Sequence, residues 1–248
     1  MPRQARQKSE SGIYHIMLRG INRQRIFEDD EDRKCFIETL QRYKEKSGYT
    51  IYAYCLMDNH IHLLIKEGAE PLGMVFKRIA GSYVYWYNWK YGRSGHLFQD
   101  RFKSEPVEDD AYFVTVLRYI HQNPVKANIC QRAEHYEYSS FNEYVTQAIY
   151  VDTSLALSLM TKEQFLKFHL EESNDTCLEL EDPLRLTDRE AKGIIASLTN
   201  CSSSAEFLAL DKGTRNLHIK RLYSLGLSIR QINRLTGVTK KIVEMNIE

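Results

Sequence analysis

Two histidines stand two positions apart in the stretch Asn59-His60-Ile61-His62-Leu63-Leu64. Polar and apolar residues alternate here, which is typical of a half-buried β-strand, so His60 and His62 project from one face. Side chains two apart on a strand are close enough to hold one metal ion. Two half-exposed histidines that bind nothing would give the same short pattern, so the pair needs support from elsewhere in the chain.

A second stretch, Tyr119-Ile120-His121-Gln122-Asn123-Pro124, offers that support. The residues before it have the apolar spacing of a buried helix face: Phe113, Val116, Leu117 and Ile120. Tyr119 and Asn123 are four residues apart and lie together at the edge of that face, where a side chain can line a cleft. Pro124 disfavours helical backbone at the preceding residue, so we expect Asn123 near the end of the helix. The chain has 16 tyrosines, and a tyrosine that only packs would also fit this spacing.

These four residue types together suit the cleavage of a phosphodiester. A divalent ion held by His60, His62 and a third ligand can polarise the phosphate and keep open positions for it. Imidazole with an amide oxygen suits Mn²⁺, and Mg²⁺ is accepted when water completes its ligands. The Tyr119 phenol can attack phosphorus and form a covalent intermediate, which retains the energy of the broken bond and permits strand transfer.

The surrounding elements predict a sheet that carries these residues. Residues 13–18, 50–57, 59–66 and 98–107 have strand patterns, and residues 29–47, 71–91 and 109–122 have helix patterns. The order β-α-β-β-α-β-α predicts an α+β fold: a ferredoxin-like antiparallel sheet with helices on one face.

Composition and charge divide the chain into three regions. The sequence has 248 residues, of which 43% are hydrophobic and 27% charged, as in a folded globular protein. Residues 151–211 contain 12 acidic residues against 5 Lys/Arg, whereas residues 212–248 contain 8 Lys/Arg against 2 acidic residues. We predict a nuclease domain over 1–150, a helical extension with an acidic linker over 151–182, and a helical domain over 183–248.

Features that would indicate export or a membrane are missing from the sequence. No apolar run is long enough to cross a bilayer, and the polar, basic start has no secretory pattern. The five cysteines are scattered without paired spacing, which favours free thiols in a reducing compartment. These observations predict a cytoplasmic protein without a membrane partner.

The C-terminal region has the pattern of a helix-turn-helix at about 222–247. Ser228 and Thr239 are placed to cap two short helices, and Gly237 supplies the turn between them. Asn233 departs from the pattern, because a small residue usually stands where the helices approach. An ordinary pair of helices is the alternative, but the basic charge favours binding to duplex DNA. The expected contacts are Arg230, Gln231, Thr239, Lys240 and Lys241.

Five motifs in order resemble the single-tyrosine HUH transposases, most closely the REP-associated tyrosine transposase group. They are Tyr14-His15-Ile16, Arg19-Gly20-Ile21-Asn22-Arg23, Met57 to Leu64, Leu97-Phe98-Gln99-Asp100-Arg101-Phe102-Lys103, and Arg118 to Ala127. The resemblance covers roughly residues 1–145. It implies the ferredoxin-like fold, metal ligation by His60, His62 and Asn123, and a Tyr119 nucleophile.

The same resemblance implies the substrate and the product. Single-stranded DNA with an imperfect hairpin and a short flank would be cleaved, which leaves a 5′-phosphotyrosine on the enzyme and a free 3′-hydroxyl. Relatives act as monomers or as homodimers that exchange the tyrosine helix, and this sequence fits both. The expected DNA contacts around the centre are the basic residues Arg3, Arg19, Arg23, Arg101 and Lys103 together with the amide Asn22, with Arg101 and Lys103 on one strand face.

Two other functions fit the sequence. The chain could be a regulator that binds duplex DNA through its C-terminal region and has an inactive nuclease domain. It could also be a metal-dependent phosphodiesterase that uses water as the nucleophile, with Tyr119 serving only as a packing residue.

Overall fold

The computed structural model describes residues 6–171, 175, 177, 178, 188–201 and 203–247. The chain divides into two compact units, Met1–Glu179 and Leu180–Glu248. The predicted linker over residues 171–182 lies largely outside the described residues. Within the described residues, no helix is long and apolar enough to cross a membrane.

The first unit is built on a four-stranded antiparallel sheet in the order β2-β3-β1-β4. This order is that of a ferredoxin-like fold, and it confirms the sheet that the sequence pattern predicted. Its strands are β1 (Ile13–Arg19), β2 (Thr50–Met57), β3 (His60–Lys66) and β4 (Lys103–Pro106).

The fourth strand is shorter than predicted. Phe98 forms an isolated bridge with Gly20, and Gln99 N donates to Arg19 O at 2.8 Å, so pairing with β1 begins early. It then stops until Lys103, because residues 100 and 101 form a bend. Arg101 therefore lies before β4 rather than on a strand face with Lys103, which corrects the sequence expectation.

Two long helices, α1 (Asp30–Ser47) and α2 (Leu72–Lys90), pack on each other and join the core of the sheet. Asp29 caps α1 through a reciprocal capping box with Asp32. The helix ends at Gly48, which adopts the left-handed φ of 68° that a side chain would disfavour.

Both faces of β3 are buried, whereas the alternating pattern predicted a half-buried strand with helices on one face of the sheet. Ile61, Leu63 and Ile65 lie in the same core cluster as α1 and α2. On the other face, His62 is 1% exposed and Leu64 is 0% exposed. The helix α3 (Asp110–Lys126) packs on β2 and β3 and covers the histidine face, since its Tyr119 ring contacts His62.

The helix α3 runs one turn further than the sequence predicted, and it includes Pro124. Proline lacks an N–H, so it removes a single backbone bond near the end of the helix. The last turn continues because Ala127 N donates to Asn123 O at 3.0 Å and Ile129 N donates to Pro124 O at 2.9 Å. Asn123 is thus held in helical backbone, with its side chain directed by α3. The predicted buried stripe is confirmed, since Phe113, Val116, Leu117 and Ile120 are all buried.

The remaining elements are short helices. They are α4 (Phe141–Val145), α5 (Ser154–Leu159), α6 (Lys162–Leu170), α7 (Asp188–Thr199), α8 (Ser204–Ala209), α9 (Lys212–Ser224), α10 (Ile229–Thr236) and α11 (Lys240–Ile247). The helices α7 to α11 belong to the second unit, which contains its own small hydrophobic core.

The predicted capping residues begin and end α10. Ser228 caps it through a capping box with Gln231, and Gly237 ends it at a left-handed φ of 75°. The unexpected Asn233 has a role in the turn, because its Nδ2 donates to Val238 O at 2.7 Å. The Asn233 amide therefore satisfies the Val238 carbonyl in the connection to α11. A small residue at position 233 would leave this carbonyl without that donor.

Candidate active site

Three predicted metal ligands meet between β3 and α3. The antiparallel register leaves His60 and His62 on one sheet face, with ring centroids 5.0 Å apart. Asn123 reaches them from α3, and its Oδ1 lies 3.2 Å from His60 Nε2. The structure thus brings together two imidazoles and an amide oxygen that are separated by about sixty residues in the sequence.

Asn59 lies beside His60. Asn59 Nδ2 donates to Arg23 O at 3.3 Å, and its Oδ1 lies 2.7 Å from His60 Nδ1. In the tautomer with the proton on Nδ1, His60 donates to this oxygen, and its Nε2 is an acceptor that faces the acceptor Oδ1 of Asn123. Two facing acceptors fit a shared cation between them.

The second histidine has a free ring nitrogen at the same place. His62 is 1% exposed and its Nε2 is buried without a hydrogen-bond partner. Its Nδ1 lies 3.0 Å from His15 Nε2. Burial lowers the pKa of His62 well below its usual value of 6.5, and the neighbouring His15 and His60 lower this pKa further. His62 is therefore neutral in this state, which is the form that ligates a metal. This set of donors fits a divalent ion.

The remaining predicted residue, Tyr119, faces the histidines from α3. Its ring centroid lies 5.7 Å from that of His62 and 5.8 Å from that of His15, both in edge-on contacts. The ring is only 2% exposed, but its neighbours include imidazoles rather than aliphatic side chains alone. The phenol and the candidate ligands therefore belong to one cluster within one chain.

A lysine lies over the tyrosine ring. Lys126 Nζ is 4.8 Å from the centre of the Tyr119 ring, and it donates to Asp175 O at 2.9 Å. This carbonyl fixes the ammonium group over the ring while the residue as a whole remains exposed. A positive charge at this position stabilises negative charge that develops on the phenol or on a phosphate beside it.

The loop after β1 lies beside the candidate ligands. Arg19 stands directly opposite His60 in the sheet register. Asn22 and Arg23 are exposed and adopt left-handed φ angles of 52° and 59°, which non-glycine residues seldom adopt. The loop is held by Gly20 N, which donates to Asn59 O at 2.9 Å. Three of the predicted DNA contacts are thus grouped at one edge of the site.

The other predicted contacts of the first unit are more spread out. Lys103 is exposed and pairs with Met17, so it points to the same sheet face as His62. Arg101 is exposed in the bend before β4. Arg3 lies outside the described residues.

In the second unit, one predicted contact has another role. Gln231 is 9% exposed, and its Oε1 accepts from Ser228 N at 3.1 Å. This side chain caps α10, because the capping box occupies it, which corrects its assignment as a DNA contact. The exposed residues of the predicted set are Arg230, Thr239, Lys240 and Lys241.

Sequence reasoning did not single out His15, Glu105 or Lys126, which the structure places beside the candidate residues. His15 is buried at 0% exposure, and Glu105 Oε2 lies 3.8 Å from its Nδ1. A histidine within the apolar run Ile13 to Leu18 was the available signal, since such a strand rarely buries an imidazole without a partner. No local pattern marks Glu105 or Lys126.

The fold and the site define a class: an antiparallel ferredoxin-like sheet whose paired histidines face a tyrosine on a covering helix. Residues 8–123 match the family model described as "Transposase IS200 like". This part of the chain is therefore similar to the IS200-like transposase family.

A solved structure has a similar fold. The chain resembles a REP-associated tyrosine transposase bound to a REP hairpin, with a TM-score of 0.54 and 15% identity over 75% of this chain and 100% of that one. A protein from Deinococcus radiodurans R1 assigned to the transposases gives a TM-score of 0.35 and 16% identity over 49% of this chain and 97% of that one. A search of curated protein sequences finds no significant match. The resemblance drawn from the motifs is confirmed.

Proposed function

We propose that this chain is a metal-dependent endonuclease and strand transferase for single-stranded DNA that cleaves beside hairpins through a 5′-phosphotyrosine intermediate. The observation that carries the proposal is the position of the Tyr119 ring against the pair His60 and His62, with Asn123 completing the cluster. The match of residues 8–123 to the IS200-like transposase model supports DNA as the substrate class.

His60 Nε2, His62 Nε2 and Asn123 Oδ1 would hold Mn²⁺ or Mg²⁺. When bound, the ion supplies charge relief to the non-bridging oxygens of the scissile phosphate. Asn59 keeps His60 in the required tautomer, and α3 presents both Asn123 and Tyr119.

The protein's own residues account for the covalent step. The phenol oxygen of Tyr119 attacks phosphorus as the phenolic proton leaves, and the bond from phosphorus to the 3′-oxygen breaks. The leaving 3′-oxygen takes up a proton and becomes a hydroxyl. In the reverse direction a 3′-hydroxyl attacks the phosphotyrosine, which rejoins DNA and restores the phenol. Lys126 contributes positive charge where the phosphate and phenol meet.

Basic residues around the centre would guide single-stranded DNA to it. The loop with Arg19, Asn22 and Arg23 lies beside His60, and Lys103 shares the sheet face of His62. The similar REP-associated transposase was captured with a hairpin. We extend that partner to this chain as a proposal, with Arg101 and Arg3 as outer contacts.

Contacts within the chain favour a monomer that uses its own tyrosine. Arg118 pairs with Asp175, and Gln122 Nε2 donates to His169 O at 3.0 Å. Arg118 and Gln122 are four residues apart, so these bonds hold one face of α3 to the segment that follows α5. Release of α3 for exchange with a partner would break them.

The C-terminal unit would bind duplex DNA through its exposed basic residues. Arg230 begins the surface, and Thr239, Lys240 and Lys241 continue it. Lys240 forms an exposed pair with Glu244 at 3.2 Å, which an approaching phosphate can displace. A regulator that only binds duplex DNA is the alternative that this unit favours.

Cleavage of end-labelled hairpin DNA with a single-stranded flank tests the proposal. Wild type with Mn²⁺ should give a denaturation-resistant protein–DNA adduct, which Tyr119→Phe and chelation should each abolish. Release of cleaved DNA without an adduct would instead establish a water-using phosphodiesterase. Binding of duplex DNA with no cleavage would establish the regulator.

A further inference from the structure

A row of three side chains, of which the two histidines are buried, crosses the sheet from its edge to the candidate metal ligand His62. Glu105 on β4 stands directly opposite His15 on β1, and Glu105 Oε2 lies 3.8 Å from His15 Nδ1. His15 Nε2 then lies 3.0 Å from His62 Nδ1 on β3. Three neighbouring strands thus contribute one residue each, all on the face covered by α3.

Burying polar ring nitrogens without partners is unfavourable for the free energy of folding. His15 is 0% exposed and His62 is 1% exposed. Two of their ring nitrogens, His15 Nδ1 and His62 Nε2, are buried without a hydrogen-bond partner. These nitrogens stand at opposite ends of the two-ring chain. One faces a carboxylate, and the other faces the proposed ion position.

A single arrangement of protons satisfies both ends. If His62 Nε2 offers its lone pair to an ion, then the proton of this neutral ring is on Nδ1 and is donated to His15 Nε2. The proton of His15 must then be on Nδ1, where it faces the negative charge of Glu105. Glu105 is itself held in place, since its Oε2 accepts from Leu178 N at 3.0 Å and its carboxylate bonds the Tyr112 phenol.

We propose that His15 is a positioning residue for the metal site, and that Glu105 orients His15 in turn. His15 fixes both the ring angle and the tautomer of His62, so that Nε2 faces the ion. This inference rests on the proposed function. Metal-ligating histidines commonly donate their second N–H to a carboxylate, and here an interposed imidazole extends that arrangement by one residue.

The alternative is that His15 only fills space beneath the Tyr119 ring, 5.8 Å away. Two substitutions separate these roles. His15→Phe keeps the ring volume and removes the acceptor for His62 Nδ1. His15→Gln loses ring packing but can place an amide oxygen near the position of Nε2. A positioning role predicts that glutamine preserves metal binding better than phenylalanine, whereas a packing role predicts the reverse order.

The measurement is Mn²⁺ affinity of the full chain without DNA, by titration calorimetry and by the electron paramagnetic resonance signal of free Mn²⁺. We expect His15→Phe to weaken Mn²⁺ binding about 10–100-fold, the usual cost of losing such an outer partner. His15→Gln should bind Mn²⁺ more tightly than His15→Phe. Urea unfolding without metal should show His15→Phe at least as stable as His15→Gln, which separates positioning from folding.

The matched carboxylates on either side of Val107 provide the second comparison. Glu105→Gln removes the charge that faces His15 and should weaken Mn²⁺ binding. Glu108→Gln alters a carboxylate that accepts backbone bonds from Glu10 and Ser11 and should leave affinity unchanged. Equal Mn²⁺ affinity in wild type and His15→Phe would overturn the inference while the proposed function stands. If His60→Ala also left the affinity unchanged, the metal site and the proposed function would both be wrong.

Discussion

Acid should destabilise the N-terminal unit because His169 must stay neutral in the folded protein. His169 is 7% exposed, its Nδ1 donates to Phe165 O at 2.8 Å, and its Nε2 lies 3.0 Å from His121 Nδ1. Burial lowers the pKa of His169 from 6.5 to about 4. Nearby Arg118 also lowers this pKa, and the Phe165 carbonyl opposes the shift. Below pH 6.5 the unfolded state therefore binds more protons than the folded state.

The sign and size of the effect follow from that difference in pKa. The stabilisation is complete above pH 6.5 and declines as the pH falls from 6.5 to about 4. Each pH unit in this window costs about 1.4 kcal/mol, so His169 alone should remove about 2 kcal/mol of unfolding free energy between pH 7.5 and pH 5.

Urea unfolding of wild type and His169→Gln at both pH values measures this contribution. Glutamine cannot titrate, and its amide oxygen can still accept from His121 Nδ1. The two tryptophans, Trp86 and Trp89 on α2, report on the N-terminal unit by fluorescence. Wild type should lose about 2 kcal/mol more than His169→Gln on acidification, whereas the exposed control His135→Gln should behave as wild type. Equal losses in wild type and His169→Gln would refute the reasoning.

Three further substitutions test other parts of the structure. Arg118→Ala removes a partly buried charged bond to Asp175 and should lower the free energy of unfolding in urea by about 2 kcal/mol, with less change in high salt than an exposed pair would show. Lys126→Gln should slow adduct formation about 10-fold in single-turnover gels, because about 1.4 kcal/mol of charge stabilisation beside Tyr119 is lost. Ser228→Ala should cost about 1 kcal/mol of local stability, seen as faster hydrogen exchange in residues 229–236.

Local periodicity was sufficient to predict the elements that carry the candidate ligands. The strand over Thr50–Met57 has the predicted bounds, and β3 differs from its prediction by one residue. The 3.6-residue spacing on α3 correctly identified its buried stripe, although Tyr119, expected at the edge of that face, is also buried. These predictions succeed because side-chain direction within one element depends only on its own repeat.

Contacts between elements could not be predicted in the same way. The pairing of His15 with His62 and Glu105 depends on strand register and order, which no local repeat contains. Pro124 was expected to end α3, but the helix loses only one backbone bond there and packing on the sheet outweighs this loss. Gln231 was assigned to DNA by its type, although the capping box with Ser228 occupies it.

Peptide mass spectrometry of the protein–DNA adduct tests the central claim most directly. Wild-type protein is incubated with Mn²⁺ and a hairpin oligonucleotide that has a single-stranded flank, then digested with nuclease and protease. The proposed mechanism predicts a nucleotide-derived mass on the peptide that contains Tyr119, joined through a 5′-phosphate. Attachment to another residue, or complete cleavage of the oligonucleotide with the Tyr119 peptide unmodified at every time point, would contradict it.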